Sequence, residues 1–276
     1  MGRGLSRVWQ LDEVLFEATT DYQHVVIAKT SQGISLFCDS DRQSTEFSQL
    51  VYHEALAVPA LLLADRLRRV LIIGSSEGVL SQLVLAAGAE EVDHVDIDAD
   101  TVRACARYLP YGYTREDLAV AERRAGALRM HYADGWDFLA TTSEAGGYDV
   151  VIVDLPDEHD EGRRQQNRLY ETDYLMRCRS VLNPGGVVAY QSGCATLWRN
   201  STLSRAWQRF QQTFATTVYF GSDEHEWSFL FGRPDHLERP VAAMLAAFPD
   251  LRYRPASIDE PALRSRTVPP YRLRHG

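Results

Sequence analysis

The sequence contains little lysine and no closely spaced cysteines. Lys29 is the only lysine among 276 residues, so covalent catalysis through a lysine amine has a single candidate. The cysteines form no Cys-x-x-Cys pair, and we expect small buried side chains instead of disulfides or metal ligands. These cysteines are Cys38, Cys105, Cys178 and Cys194. The sequence therefore predicts no metal site.

Long apolar runs and an excess of positive charge are also missing. No run approaches the ~20 apolar residues of a membrane helix, and the first residues lack the apolar core of a signal peptide. The net charge of −9 argues against a groove for nucleic acid. We expect a cytoplasmic protein that contacts neither a membrane nor nucleic acid. The acidic balance suits a cationic substrate, or solubility alone.

The first 50 residues differ in pattern from the rest. They contain three short β-branched or aromatic runs separated by turn residues, which predicts a small antiparallel β domain over residues 1–50. The runs are Val14–Glu17, Val25–Lys29 and Ile34–Cys38. A helix follows over Glu46–Leu63, with a break or kink expected at Pro59.

From Arg69 onward, strands and helices alternate. Five apolar strands are each followed by a helix or a helix signal, and a strand pair at 217–231 comes last. The five are Val70–Ile73, His94–Asp98, Leu128–Ala133, Asp149–Val153 and Val187–Gln191. This order predicts a Rossmann-like, class I methyltransferase-type doubly wound sheet over residues 51–233. Residues 234–276 are expected to form a helix and a tail packed on that domain.

Three features fall at the carboxyl ends of successive strands, where open α/β sheets bind ligands. The loop that starts at Gly74 allows close backbone approach, Asp96 or Asp98 can accept ribose hydroxyls, and Asp134-Gly135 lies at the depth of an adenine. Each feature alone could be a turn or a helix cap. Their order favours a nucleoside site.

The loop Gly74-Ser-Ser-Glu77-Gly is not a dinucleotide fingerprint. Glu77 stands where a pyrophosphate would dock, and an acid there repels phosphate but suits a cation. An adenosyl-sulfonium donor carries positive charge and no phosphate, so it fits this loop better than a dinucleotide does.

A pair of acids, Asp154 and Asp157, follows the fourth strand. Two carboxylates at such a place could bind an ammonium group and accept the proton that an amine loses before it attacks carbon. The alternative is that both acids only cap the next turn.

In these residues the sequence resembles the spermidine/spermine synthase (polyamine aminopropyltransferase) family from about Val14 to Arg233. The ordered set carries the likeness, above all Tyr-His-Glu shortly before the glycine loop. The matching segments are Tyr22-Gln23, Asp39 with Gln43–Glu46, Tyr52-His53-Glu54, Val70–Gly78, Asp96-Ile-Asp98, Asp134-Gly135, Asp154 with Asp157, and Leu169-Tyr170.

The resemblance implies a small β domain on a Rossmann-like domain, commonly assembled as a homodimer. It also implies that decarboxylated S-adenosylmethionine donates an aminopropyl group to a polyamine amine and leaves methylthioadenosine. By position, Glu77 would hold the amino group of the donor. The nucleoside would be held by Gln23, Asp96, Asp134 and Gly135.

On the acceptor side, the resemblance makes Asp154 the general base and Asp157 an anchor for an amine. Tyr52 would belong to the catalytic set together with these two aspartates. Tyr52 and His53 would line the polyamine channel, and Tyr170 would close it.

Several departures from the family pattern concern the acceptor region. Ser48-Gln49 replaces an acidic pair, Asp157 is not followed by proline, and Ser222–Glu226 replaces a segment rich in proline and tyrosine. The acids of that last segment, Asp223, Glu224 and Glu226, could face an amine or form a solvated loop. Trp198 is expected to be a packing residue.

Two other functions stay open. One is an S-adenosylmethionine-dependent N-methyltransferase on the same scaffold, although Glu77 should repel the carboxylate of the intact donor. The other is a catalytically silent nucleoside-binding homologue, against which the Asp154 and Asp157 pair argues.

Overall fold

Two β-sheets organise the chain in the computed structural model, which describes residues 7–142, 147–158, 165–222 and 224–275. The first sheet is an antiparallel meander in strand order. Its strands are β1 (Glu13–Thr19), β2 (His24–Thr30), β3 (Gly33–Cys38) and β4 (Asp41–Thr45). The first three confirm the predicted strands. β4 was missed because its polar sequence, Asp-Arg-Gln-Ser-Thr, carries no apolar alternation.

The second sheet has seven strands in the order β10-β11-β9-β8-β5-β6-β7. β5 to β9 pair in parallel, whereas β10 and β11 pair antiparallel at one edge. Its strands are β5 (Arg69–Gly74), β6 (Glu91–Asp96), β7 (Leu128–Tyr132), β8 (Tyr148–Asp154), β9 (Leu182–Cys194), β10 (Thr216–Gly221) and β11 (Trp227–Arg233). The order confirms the Rossmann-like doubly wound fold. Because it reverses between β5 and β8, a cleft opens at their carboxyl ends.

Ten α-helices flank the sheets within the described ranges. They are α1 (Gln49–Leu63), α2 (Val79–Ala86), α3 (Ala99–Tyr108), α4 (Arg115–Glu122), α5 (Gly135–Thr142), α6 (Thr172–Ser180), α7 (Ser201–Thr213), α8 (Pro240–Ala247), α9 (Glu260–Ser265) and α10 (Tyr271–His275). In the same ranges, no helix is long and apolar enough to cross a membrane. The division of the chain into domains at residues 50 and 233 stays a prediction.

Helix α1 continues through Pro59, so the predicted break is wrong. Every residue from His53 to Leu63 is buried. The helix lies in the core shared with α2 and α8, against the central strands. We attribute its continuity to this enclosure, which outweighs the local cost of an interior proline, about 3 kcal/mol.

The second strand predicted for the central sheet, His94–Asp98, begins and ends earlier in the chain than predicted. β6 ends at Asp96, and Asp98 is the N-cap of α3, where its carboxylate accepts the backbone N–H of Thr101. Helix α4, which the sequence reading missed, begins with a capping box between Thr114 and Asp117. All four cysteines are free and buried, as expected.

The first sheet is attached to the second domain through α3. Val25, Ile27 and Leu36 form a buried cluster with Cys105 and Leu109. This packing holds the polar ends of the first sheet against the carboxyl ends of the central strands, so that both sheets line one cavity.

The C-terminal segment is fastened to α1 by Glu54, the last residue of the Tyr-His-Glu motif. Its buried carboxylate accepts hydrogen bonds from the Tyr253 hydroxyl at 2.6 Å, the Ala256 N–H at 2.8 Å, and both the N–H and the hydroxyl of Ser257. Glu54 therefore has a structural role, away from the cavity.

We expect Glu54→Gln to lower the free energy of unfolding by about 2–4 kcal/mol, because a neutral amide cannot replace these bonds to a carboxylate. Urea denaturation measures the change. The matched control is Glu90→Gln, which removes an exposed ion pair with Arg68 and should cost no more than about 0.5 kcal/mol. Equal stability of the two variants would contradict this role.

Candidate active site

A cavity of about 1200 Å³ lies at the carboxyl ends of the central parallel strands and is closed on one side by the first sheet. It contains most of the residues singled out from the sequence. Those that line it are Gln23, Tyr52, Gly74, Glu77, Asp96, Asp98, Asp134, Gly135, Asp154 and Asp157. His53 and Tyr170 are not among the lining residues.

The glycine loop lies directly on the strand that carries Asp154. Gly74 has a φ of +81°, and a Cβ built on it would lie 2.1 Å from the Asp154 carbonyl oxygen. The Ser75 N–H donates to that same oxygen at 3.1 Å. Because only glycine fits this approach, Gly74 fixes the distance between the loop and β8.

Asp96, at the end of β6, is buried beside the same loop. It accepts hydrogen bonds from the Ser76 hydroxyl at 2.7 Å and the Asp98 N–H at 2.8 Å. Burial raises the pKa of Asp96 to about 6, and the nearby carboxylates of Asp98 and Glu77 add to the rise against those hydrogen bonds. A ligand hydroxyl that donates to Asp96 would therefore stabilise its charged form.

Gln23 reaches the cavity from the first sheet but is bound to Asp98 and not to Asp96. Its amide nitrogen lies 3.0 Å from the Asp98 carboxylate and 3.2 Å from the Thr101 hydroxyl. Asp98 also accepts the Thr20 hydroxyl at 2.8 Å. Of the two acids proposed for ribose, Asp98 is already hydrogen-bonded to Thr20 and Gln23, which connect the start of α3 to the end of the first sheet.

Asp134 and Gly135 stand at the end of β7. One Asp134 oxygen accepts the Trp136 N–H at 2.8 Å, and the other pairs with Arg168 at 2.5 Å. A Cβ on Gly135 would lie 2.7 Å from Ile73 Cγ2. This glycine lets the start of α5 pack closely against Ile73 of β5 and against Tyr174.

Glu77 is buried, and no cation within ion-pair distance of its carboxylate appears in the described ranges. Burial raises the pKa of Glu77, while hydrogen bonds from its own backbone and Ser44 act in the opposite direction. An unpaired buried acid is unfavourable until it meets a positive charge. The carboxylate of Glu77 therefore makes this part of the cavity wall favourable for a cation.

Asp154 and Tyr52 meet across the cavity floor. The Tyr52 hydroxyl donates to Asp154 Oδ1 at 2.6 Å. Burial raises the pKa of Asp154, as does the charge of Glu77, although His53 and the Tyr52 hydrogen bond lower it. A carboxylate with a raised pKa is a stronger base than an ordinary aspartate.

His53 and Tyr170 lie behind the cavity wall. The His53 ring is buried, donates Nδ1–H to the Gln49 carbonyl at 2.7 Å and packs edge-on against the Tyr52 ring. The Tyr170 hydroxyl bonds to the carbonyls of Leu155 at 3.1 Å and Pro156 at 2.8 Å. Both residues thus lie beside Tyr52 and the Asp154 loop, and their predicted role in a polyamine channel stays a prediction.

Asp157 is held by two neighbours. Its oxygens accept Gln191 Nε2 at 2.7 Å and an Arg199 guanidinium nitrogen at 2.6 Å. Its carboxylate faces the cavity with its charge already countered.

The sequence did not predict that several arginines and tryptophans line the cavity, because the residues they contact are distant in the chain. These are Arg7, Arg42, Arg199, Trp9 and Trp227. Trp198 is 80% exposed at the cavity, so its predicted packing role is wrong. In the acidic segment, Glu226 lines the cavity and pairs with Arg7, whereas Glu224 pairs with Arg266. Asp223 lies outside the described residues. Over the described part of the chain, no group of three metal-ligating side chains occurs.

Comparisons with known proteins agree with this geometry. The family model described as "Spermine/spermidine synthase domain" matches residues 49–221. A polyamine aminopropyltransferase from Aeropyrum pernix is 30% identical over 82% of this chain and 70% of its own length. Polyamine aminopropyltransferase 1 from Pseudomonas aeruginosa is 30% identical over 78% of this chain and 75% of its own length.

Among solved structures, a spermidine synthase in complex with the transition state analogue AdoDATO superposes with a TM-score of 0.81 at 18% identity, over 96% of this chain and 88% of its own. The spermidine synthase from Thermotoga maritima superposes with a TM-score of 0.78 at 17% identity, over 96% of this chain and 87% of its own. Fold and cavity define a Rossmann-like enzyme with a small N-terminal sheet. The chain belongs to the spermine/spermidine synthase family.

The raised pKa of Asp96 predicts a pH effect on stability. Since the folded pKa of about 6 exceeds the ordinary aspartate pKa of 3.8, the folded state binds more protons between these values, and stability falls as pH rises through them. We expect Asp96 to account for a loss on the order of 2–3 kcal/mol between pH 3.5 and 7. In Asp96→Asn this part of the loss should vanish. Urea denaturation of both proteins at each pH measures the difference, and parallel curves would contradict it.

Proposed function

We propose that this enzyme transfers the aminopropyl group of decarboxylated S-adenosylmethionine to a primary amine and releases methylthioadenosine. The observation that carries the proposal is the position of Asp154. It is a buried base with a raised pKa, on the same cavity as an unpaired buried acid, Glu77. The family relationship supports the same reaction.

On the donor side, each part of the proposed molecule has a chemical counterpart. The ammonium of the aminopropyl group suits Glu77, and the ribose hydroxyls suit the carboxylate of Asp96. The adenine is proposed for the space beside Asp134 and Gly135, which both line the cavity. Gln23 contributes indirectly, since it holds Asp98 and with it the start of α3.

The chemical step is a substitution at carbon. The lone pair of the acceptor amine forms a bond to the aminopropyl carbon next to the sulfonium. The carbon–sulfur bond breaks, and its electron pair stays on sulfur, which becomes the neutral thioether of methylthioadenosine. The proton released from the acceptor nitrogen goes to Asp154, while Tyr52 holds that carboxylate in place by its hydrogen bond.

Methyl transfer from intact S-adenosylmethionine on the same scaffold is disfavoured by Glu77. The intact donor carries a carboxylate next to its amino group, and that carboxylate would approach a buried acid with no cation to offset it. Removal of the donor carboxylate leaves only the attraction between the ammonium and Glu77.

The remaining proposals rest on family likeness and composition. They are a cytoplasmic location, assembly as a homodimer, and independence of metal, membrane and nucleic acid. The net charge of −9 supports the last of these.

Calorimetric titration tests the donor. We expect decarboxylated S-adenosylmethionine to bind at least tenfold more tightly than the intact form, because Glu77 attracts the one and repels the other. Glu77→Gln should bring the dissociation constants of the two donors closer together. Tighter binding of the intact donor would overturn the proposal in favour of methyl transfer, and the absence of binding by either donor or by methylthioadenosine would indicate a silent homologue.

The base is tested by Asp154→Asn, which should lower kcat by about 10²- to 10⁴-fold and leave methylthioadenosine affinity nearly unchanged. Tyr52→Phe removes a hydrogen bond that lowers the pKa of Asp154, so the acid limb of the kcat profile should move to higher pH. Glu90→Gln, on the surface, serves as the control. Full turnover by Asp154→Asn would place the base elsewhere.

A further inference from the structure

The outer part of the cavity, beyond Tyr52, differs in charge from the part around Glu77 and Asp154. Here carboxylates are matched by guanidinium groups. Asp157 pairs with Arg199, Glu226 pairs with Arg7, and Glu158 pairs with arginines of α7. An ammonium group near these three carboxylates would meet a guanidinium group beside each of them.

Asp41 also lines the cavity, as do Asp21 and Asp39. It lies close enough to Arg7 to contribute to the raised pKa of that guanidinium, after the larger effect of the Glu226 hydrogen bond. Its negative charge therefore also acts on an arginine already present.

Arg42 is a further cation that forms no ion pair with a carboxylate among the residues that the structure describes. Burial lowers the pKa of its guanidinium, while the nearby charge of Glu226 acts in the opposite direction. Its guanidinium carbon lies 4.5 Å from the Trp9 ring centroid and 5.5 Å from the Trp227 ring centroid. One nitrogen donates to Gln32 Oε1 at 2.5 Å. The group is thus positioned by two rings and an amide, and it faces the cavity.

The rings of Tyr52 and Trp227 lie in succession between Asp154 and Arg42. The Tyr52 and Trp227 ring centroids are 5.5 Å apart, and the Trp227 centroid lies 5.5 Å from the Arg42 guanidinium carbon. The Tyr52 ring centroid and the Arg42 guanidinium carbon are therefore no further apart than these two separations combined, and the Tyr52 hydroxyl extends beyond its ring to Asp154. A short extended molecule could reach both ends.

We propose that the acceptor is a primary amine whose other end is a carboxylate, with the amine at Asp154 and the carboxylate on Arg42. Guanidinium groups bind carboxylates through paired hydrogen bonds, and flanking aromatic rings keep the guanidinium oriented for them. A diamine of equal length would bring an ammonium group to Arg42 and be repelled. This inference rests on the proposed aminopropyl transfer, and the transfer step at the amine nitrogen is unchanged.

The direct test compares 5-aminopentanoate with 1,5-diaminopentane, which share a carbon chain and differ in the charge of one end. Decarboxylated S-adenosylmethionine is the donor, and methylthioadenosine release is measured. We expect kcat/KM to be at least tenfold higher for the aminoalkanoate. A higher value for the diamine would overturn the inference and leave aminopropyl transfer standing.

Arg42→Gln tests the residue itself. It should lower kcat/KM for 5-aminopentanoate at least tenfold and raise it for the diamine, whereas Arg42→Lys should retain part of the preference for the aminoalkanoate. Arg103→Gln removes a surface guanidinium paired with Glu122 and is the matched control, with no change in the ratio. An unchanged ratio in Arg42→Gln would contradict the assignment.

Binding separates the two proposals if no turnover occurs. Calorimetry with methylthioadenosine present measures the affinity of each acceptor without a chemical step. Failure of both acceptors to yield product would count against the proposed function, while tighter binding of 5-aminopentanoate that depends on Arg42 would still support the carboxylate site. Tighter binding of the diamine would exclude it.

Discussion

The close approach of the Gly74 loop to the Asp154 backbone is the constraint on which the cavity depends. It occurs at the change of strand order between β5 and β8, where parallel strands leave a cleft. Since the loop that leads to Glu77 and the strand that carries Asp154 share this contact, backbone geometry holds the two segments together. A side chain at position 74 would disturb both segments at once.

The sequence was sufficient for those parts of the molecule whose signals are local. Apolar strands followed by helices predicted the central sheet, and acids after strands predicted that Asp96, Asp134 and Asp154 share one edge. These inferences succeed because the carboxyl ends of parallel strands meet at the same side of a sheet. The site roles assigned by family likeness remain predictions.

The parts that escaped prediction depend on contacts between distant residues. Pro59 does not break α1, since its neighbours are enclosed on every side. Tyr170 and His53 lie behind the cavity wall, and Asp157 is neutralised by Arg199, 42 residues away. Arg42 carries no motif, and its setting between Trp9 and Trp227 exists only after the two sheets have packed.

Helix α1 presents residues from one turn to opposite sides of the molecule. Tyr52 points toward the cavity, whereas Glu54 points toward the segment around Ser257. During synthesis on the ribosome, helix α1 emerges before the groups that satisfy Glu54, which follow it by 199 to 203 residues. The helix that carries Tyr52 therefore gains its full set of hydrogen bonds only after the segment around Ser257 has been synthesised.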